Sequence, residues 1–359
     1  MINVSKSFLP NQEEYQAHLK KSWDNVWLTN RGALVKALEK QIKDKFNISN
    51  IIATTNGTLP LHIAIKALKL KGEIITTPFS YIATSSSIVW EGCVPIFVDI
   101  DKDTFNIDPS KIEAKISNKT SGILTTHVFG NPCNIKAIHA IADKYNLKVI
   151  YDAAHAFGVE YKDKSIFEYG DVSTCSFHAT KIFHTGEGGA IFTKNEDLYK
   201  ILYYHHNFGH DGPERFHGLG INAKMSELQA AMGLAILPYF DDIFYRRRLL
   251  YERYLSHLKN NKNLVFQKIK EHVVYNYAYM PLVFENEKQL LEVEKALNNR
   301  DVFPRRYFYP ALNTIPYLGN QNMPIAESIA ERILCLPLYH DLTEIQVNDI
   351  CEIILDVIN

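Results

Sequence analysis

From about residue 50 onward, short runs of aliphatic and β-branched residues alternate with stretches whose apolar positions recur at helical spacing. That rhythm predicts parallel strands joined by crossover helices. The strand patterns fall at residues 51–54, 73–76, 95–98, 121–125, 148–151, 172–175 and 190–193, and several are apolar at consecutive positions, as expected of strands covered on both faces. Between them, residues 59–70, 83–90 and 135–145 carry the spacing of helices with one apolar face. The pattern predicts a large α/β domain over residues 1–238. Beyond residue 238, Arg246-Arg247-Arg248 opens a long helical pattern, followed by shorter strand and helix patterns, so a smaller α+β domain is expected over residues 239–359. No repeat and no linker rich in Gly, Ser or Pro separates the two, which should therefore pack closely.

Composition supports a folded chain: 46% of the 359 residues are hydrophobic and 12% aromatic, enough to bury a large core. Lys plus Arg (39) nearly balances Asp plus Glu (40), so nothing in the overall charge points to nucleic acid or an anionic membrane surface. Any anionic ligand must be met by a local site. The arginine triplet reads as a solvated helix face. Five scattered cysteines without a C-x-x-C pair argue against a disulfide framework or a zinc site and read as small core residues. The N-terminus lacks the apolar stretch of a signal peptide, and no segment approaches the run of about 18 apolar residues of a spanning helix. A cytoplasmic protein is expected.

Chemistry concentrates where strand patterns end. Ser176-Phe177-His178-Ala179-Thr180-Lys181 closes one strand and leads through Thr185-Gly186-Glu187-Gly188-Gly189 to the next. In an open α/β sheet, ligands bind beyond the carboxyl ends of the strands, which puts the Lys181 amine where a site would be. A lone loop lysine is ordinarily just solvated. Asp152 changes that reading, because it ends the apolar strand 148–151 and a buried carboxylate needs a cation, helix amides or a ligand. A protonated pyridine nitrogen is one such cation; a helix cap or structural ion pair is the alternative. Thr55-Asn56-Gly57-Thr58 joins the first strand to a helix, and free amides there, with Gly57 and the Thr58 hydroxyl, suit an anion, although the same residues are routine caps. Ser176 offers a second hydroxyl. Tyr81 follows the second strand and suits either a flat ligand or the core.

Taken together, Asn56-Gly57-Thr58, Pro78 to Thr84, Asp152-Ala153-Ala154-His155, Ser176 to Lys181, Gly186-Glu187-Gly188-Gly189 and Asn222 to Gln229 resemble the DegT/DnrJ/EryC1/StrS family of sugar-nucleotide aminotransferases in order and spacing. The resemblance implies a fold-type I, aspartate-aminotransferase-like subunit acting as a homodimer with shared active sites. It implies pyridoxal 5′-phosphate held as a Schiff base on Lys181, Asp152 at the ring nitrogen, and Tyr81 and His155 beside the ring. Gly57, Thr58 and Ser176 would serve the phosphate, Asn222 the phosphate of the neighbouring subunit, and His178 the substrate. Ala179 stands where the family commonly has proline and His184 where it has Thr or Ser, so the loop beside Lys181 should differ in shape. Relatives with His in place of the lysine carry out dehydration, and Lys181 argues against that here.

The implied reaction takes an amino group from L-glutamate to a keto-sugar linked to a nucleoside diphosphate, dTDP by resemblance. Arg305, Arg306 and Tyr309 are candidates for the nucleotide and pyrophosphate, since guanidinium groups bind phosphate through paired hydrogen bonds; a surface turn is the plainer reading. Trp27 to Gly32 and Arg305 to Pro310 look more like relatives that aminate a 4-keto-6-deoxyhexose than those acting on the 3-keto isomer. A regulator that binds the sugar nucleotide without turnover would have little need of Lys181 and Asp152 together.

Overall fold

The computed structural model describes residues 1–358. Its principal sheet has seven strands: β1 (Ile51–Thr54), β2 (Glu73–Thr76), β3 (Val94–Phe97), β4 (Thr120–Thr126), β5 (Lys148–Asp152), β6 (Val172–Ser176) and β7 (Gly189–Phe192). Their order across the sheet is β1-β7-β6-β5-β4-β2-β3. Neighbours from β3 to β6 pair in parallel, whereas β7 is antiparallel to both β1 and β6. The expectation of parallel strands is thus corrected at residues 189–192. The physical reason is the connection: residues 177–188 contain no helix, and only a crossover can return a chain to start a parallel strand. The reversal places the whole loop bearing Lys181 at the carboxyl edge of the sheet.

Helices α1 (Gln12–Asn25), α2 (Ala33–Phe46), α3 (Leu59–Ala67), α4 (Ile82–Trp90), α5 (Ile135–Tyr145), α6 (Glu196–His206) and α7 (Glu227–Ile236) accompany this sheet. In α5 the buried residues Ile135, Ile138, Ile141 and Ala142 recur at the spacing of one helix face. The helix expected over residues 59–70 stops at Ala67, and Lys69 takes a left-handed φ of 55°.

The long helix α8 (Phe240–Leu258) begins where the sequence pattern changes. It leads to a three-stranded antiparallel sheet of β8 (Val265–Phe266), β9 (Met280–Val283) and β10 (Ile333–Leu336), flanked by α9 (Glu287–Asn298), α10 (Pro324–Arg332) and α11 (Glu344–Ile358). Phe240 and Ile243 pack in the core of the large sheet and Leu250, Tyr251 and Tyr254 in the C-terminal core, so α8 runs through both. Ile2–Asn3 pairs with Val302–Phe303, which returns the first residues to the C-terminal part. A third cluster, with Phe79, Phe105, Phe129, Val283, Phe308 and Ile329, joins the two.

Successive residues of a helix project about 100° apart, so three consecutive arginines cannot share one face. Arg246 and Arg248 lie towards solvent, but Arg247 is 6% exposed, which corrects the reading of the triplet as a solvated face. All five cysteines are buried and free. Among the described residues no helix is long and apolar enough to cross a membrane.

Candidate active site

The carboxyl ends of β1, β2, β5 and β6 surround a cavity of about 250 Å³. Nine of the residues singled out in the sequence line it: Gly57, Thr58, Tyr81, Asp152, His155, Ser176, His178, Lys181 and Arg305. The parallel register explains the convergence, because Asp152 lies beside Thr126 and Thr174 at the ends of adjacent strands and is followed at once by a turn.

Asp152 is buried. Its Oδ2 accepts from the Thr84 hydroxyl at 2.7 Å and its Oδ1 from the Ala154 amide at 3.1 Å. Thr84 belongs to a hydroxyl network with Ser80 and Thr126. Among the described residues Asp152 has no ion pair, and burial raises its pKa above the ordinary carboxylate range, against the opposing pull of these hydrogen bonds and of Lys181. A carboxylate so placed suits a cationic group entering the cavity.

Beside it, burial holds His155 well below the usual imidazole pKa, so it is neutral. Its Nδ1 accepts from the Phe129 amide at 3.3 Å, which leaves the proton on Nε2. The imidazole stacks on Phe308 with ring centres 5.5 Å apart.

Lys181 projects from the loop between β6 and β7. Phe177 and Phe183 anchor that loop, Phe183 stacking on Phe157 at 4.4 Å. The N-terminal segment clasps its outer side: the Ser7 hydroxyl donates to the Ala179 carbonyl at 2.7 Å, and His184 Nε2 donates to the Phe8 carbonyl at 2.8 Å. Within this loop, Ala179 and His184 are thus the residues that bond the N-terminal segment. The Lys181 amine donates to the Tyr279 hydroxyl at 3.1 Å, its one hydrogen bond among the described residues.

The anion cradle is built differently from the sequence expectation. Asn56 Oδ1 accepts from the amides of Thr58 and Leu59, both at 2.9 Å, and Pro60 has no amide to offer. The helix-end amides expected to be free are thus largely used. What faces the cavity is the Gly57 backbone with the hydroxyl-bearing Thr58 and Ser176. A Cβ on Gly57 would lie 2.6 Å from that of Ser176, so glycine is required for the two loops to meet.

At the rim, Tyr81 is 56% exposed, and His178 bonds Thr180 through Nδ1 at 2.8 Å with Nε2 3.6 Å from Glu187. Arg305 lines the cavity with no ion pair among the described residues, its guanidinium 4.7 Å from the Tyr307 ring centre. Arg306 is placed elsewhere: it donates to Glu287 at 2.7 Å and to the Glu331 carbonyl at 2.8 Å, and lies over Tyr309. Neither Arg306 nor Tyr309 lines the cavity. Asn222 also lies outside it, exposed, on a backbone bridge to Asn207.

A sequence profile of the DegT/DnrJ/EryC1/StrS aminotransferase family matches residues 10–355. The chain belongs to this family. It is 40% identical over 363 aligned residues, covering 99% of this chain and 98% of the relative, to a dTDP-4-amino-4,6-dideoxy-D-glucose transaminase of Shigella dysenteriae. It is 34% identical to a GDP-perosamine synthase of Escherichia coli O157:H7, covering 92% and 91% of the two chains. The crystal structure of DesI in the presence of its TDP-sugar product superimposes with a TM-score of 0.93 at 31% identity, covering 99% of this chain and 93% of that one. The aspartate-aminotransferase-like fold expected from the resemblance is the fold observed, and the aminotransferase family assignment holds over nearly the whole chain.

Several residues of the aminotransferase site escaped sequence reading: Thr84, Tyr279, Tyr307 and Phe308. Thr84 ends the segment Pro78 to Thr84, in which nothing local marks its bond to Asp152. Tyr275-Asn276-Tyr277-Ala278-Tyr279 alternates aromatic residues before a strand, but no common face results, because Tyr277 takes a left-handed φ of 52° and the segment is irregular.

Proposed function

We propose that this aminotransferase uses pyridoxal 5′-phosphate to move the amino group of L-glutamate onto C4 of a dTDP-linked 4-keto-6-deoxyhexose, making an amino-dideoxy sugar for surface polysaccharide. The observation that carries the reading is Asp152: a buried carboxylate with no ion pair among the described residues, opening on the same cavity as Lys181. When bound, the cofactor supplies an electrophilic carbonyl carbon and a conjugated ring able to hold negative charge.

The chain's own groups supply the rest. Asp152 keeps a proton on the ring nitrogen by offering it a buried negative oxygen. Lys181 Nζ would hold the carbonyl carbon and, when its amine is free, would move the proton at the reacting carbon. Thr58 and Ser176 donate to the phosphate, and Gly57 leaves room for it. His155 and Tyr81 flank the ring, with His155 neutral and so unable to compete with the ring nitrogen for Asp152. Arg305, unpaired among the described residues, suits the pyrophosphate or a substrate carboxylate, while His178 at the rim suits the sugar. The C4 position is supported by the likeness to the dTDP-4-amino-4,6-dideoxy-D-glucose transaminase. The working unit is a cytoplasmic homodimer, in which Asn222 serves the neighbouring site; its exposure outside its own cavity suits that role.

The test is a visible spectrum of the protein with pyridoxal phosphate, before and after L-glutamate, followed by addition of dTDP-4-keto-6-deoxyglucose. The lysine-bound band should form, give way to the pyridoxamine form with glutamate, and return with the keto-sugar, yielding a product aminated at C4 by NMR. Return of the band only with the GDP-linked sugar would move the nucleotide assignment, and only with the 3-keto isomer the ring position. A band that glutamate leaves unchanged would refute transamination from this donor.

A further inference from the structure

Tyr279 reaches the site from the C-terminal part of the chain, and the segment that carries it is pinned at almost every residue. The Tyr275 hydroxyl donates to the Phe129 carbonyl at 2.9 Å. Asn276, fully buried, donates to the carbonyls of His155 at 2.8 Å and Phe157 at 2.9 Å, and accepts from the Ala278 amide at 3.2 Å. Arg247, the buried middle arginine of the triplet, donates from Nε to the Tyr277 carbonyl at 3.0 Å and from Nη2 to the Ala278 carbonyl at 2.6 Å.

This use of Arg247 is costly, because among the described residues the guanidinium has no carboxylate partner. A planar fork binding two successive carbonyls fixes the backbone immediately before Tyr279 in position and direction. The phenol ring is confined as well, lying edge-on to His155 at 5.0 Å and Tyr307 at 5.7 Å and tilted on Phe129 at 5.2 Å. The result is a phenol oxygen held still at 3.1 Å from the Lys181 amine.

We infer that Tyr279 is a catalytic partner of Lys181, holding the lysine amine whenever that amine is free, and that Arg247 is the positioning residue that keeps Tyr279 in place. The inference rests on the reading of Lys181 as the cofactor-binding lysine. A displaced lysine is a long side chain with much rotamer freedom, and a general base works only within hydrogen-bond reach of the proton it takes. A phenol both donates and accepts, so it holds the amine in either protonation state. It has no charge to bind the amine too tightly for return to the substrate.

Tyr279→Phe removes the hydroxyl and keeps the ring. The variant should still form the visible band with pyridoxal phosphate and half-saturate at the same L-glutamate concentration. Its limiting rate of conversion to the pyridoxamine form should fall by about tenfold or more. A second readout uses cofactor-free protein: carbamylation of Lys181 by cyanate, followed by peptide mass spectrometry at fixed pH. Cyanate consumes the free amine, and loss of the hydroxyl that holds that amine should make labelling of Tyr279→Phe several-fold faster, about threefold or more. Asp152, His155 and Cys175 also lie close enough to influence Lys181, and the substitution alters none of them.

Arg247→Lys keeps the charge but cannot span both carbonyls, and should show both effects in weaker form. If wild type forms no lysine-bound band, the Lys181 reading and this inference fall together. If the band forms and Tyr279→Phe matches wild type in limiting rate and labelling, only the Tyr279 inference is wrong. If Tyr279→Phe behaves as expected while Arg247→Lys matches wild type, the positioning role of Arg247 is overturned.

Discussion

Asp152 sits where the fold alone gains nothing from a charge. Its pKa is raised by burial, so the folded, cofactor-free protein holds the Asp152 proton more tightly than the unfolded chain does. The stability this residue contributes is full below the unfolded carboxylate pKa of about 3.9 and is lost as pH rises through the higher folded value. In cofactor-free protein, Asp152→Asn should therefore melt at higher temperature than wild type at pH 7, with the gap closing towards pH 4 in thermal scans. The same substitution should lower transamination by about a hundredfold or more, since an amide leaves the ring nitrogen without its counter-charge. At Gly57 the constraint is steric: Gly57→Ala brings a methyl carbon against Ser176 and should weaken cofactor binding by about tenfold, near 1.4 kcal/mol, in an equilibrium titration. The lysine and aspartate were legible in the sequence because each follows a strand pattern. Tyr279 was not, because nothing local marks a tyrosine that meets a lysine 98 positions earlier in the chain.

At the scale of elements, local signals marked most starts and stops, and distant contacts supplied the rest. Ser226 and Gln229 form a reciprocal cap at the start of α7, a pattern visible in four consecutive residues. The start of α2 is different. Gly32 stands at its cap position with no side chain to offer, and the amides of Leu34 and Val35 instead donate to the buried Glu227 carboxylate at 2.7 Å and 3.1 Å. Glu227→Ala would leave both amides buried without partners and should destabilise the protein by about 3 kcal/mol, read as a lower urea midpoint. Glu227→Gln should recover part of that loss, because one amide oxygen remains to accept. Helices α1 and α2 were not anticipated at all. Beyond such caps, the chief error was the direction of β7, since a run of apolar residues reads the same in a parallel and an antiparallel strand.

At the scale of the molecule, the assignment of Asn222 to a neighbour's site makes a quantitative prediction about mixed dimers. Lys181→Ala and Asn222→Ala should each be nearly inactive alone. In a randomly mixed population about half the dimers pair one of each, and in those one site keeps both Lys181 and Asn222 while the other has neither, so activity should return to about one quarter of wild type. Sedimentation should show a dimer throughout. No recovery on mixing would mean that each subunit's Asn222 serves its own site or none. Arg306 belongs to the same scale: its ties to Glu287 and the Glu331 carbonyl connect α9 to α10, so Arg306→Ala should affect stability more than substrate affinity, in contrast to Arg305→Ala.

The amino-acid sequence by itself determined the layered α/β architecture, the seven strands of the large sheet to within one residue at each end, and the placing of Lys181, Asp152, Ser176 and Gly57 at one edge of the sheet. These follow from hydrophobic period and from the rule that short loops at strand ends carry the chemistry, and both are local properties. Only the tertiary structure decided which side chains those residues would meet. The Thr84 hydroxyl on Asp152, the Asn56 side chain occupying the cradle amides, the carboxylate of Glu227 on α2, and Arg247 and Tyr279 behind Lys181 are such cases. Most of these partners are far apart in the chain, and a buried polar group takes whichever partner the packing brings within about 3 Å. Local pattern carries no record of that choice.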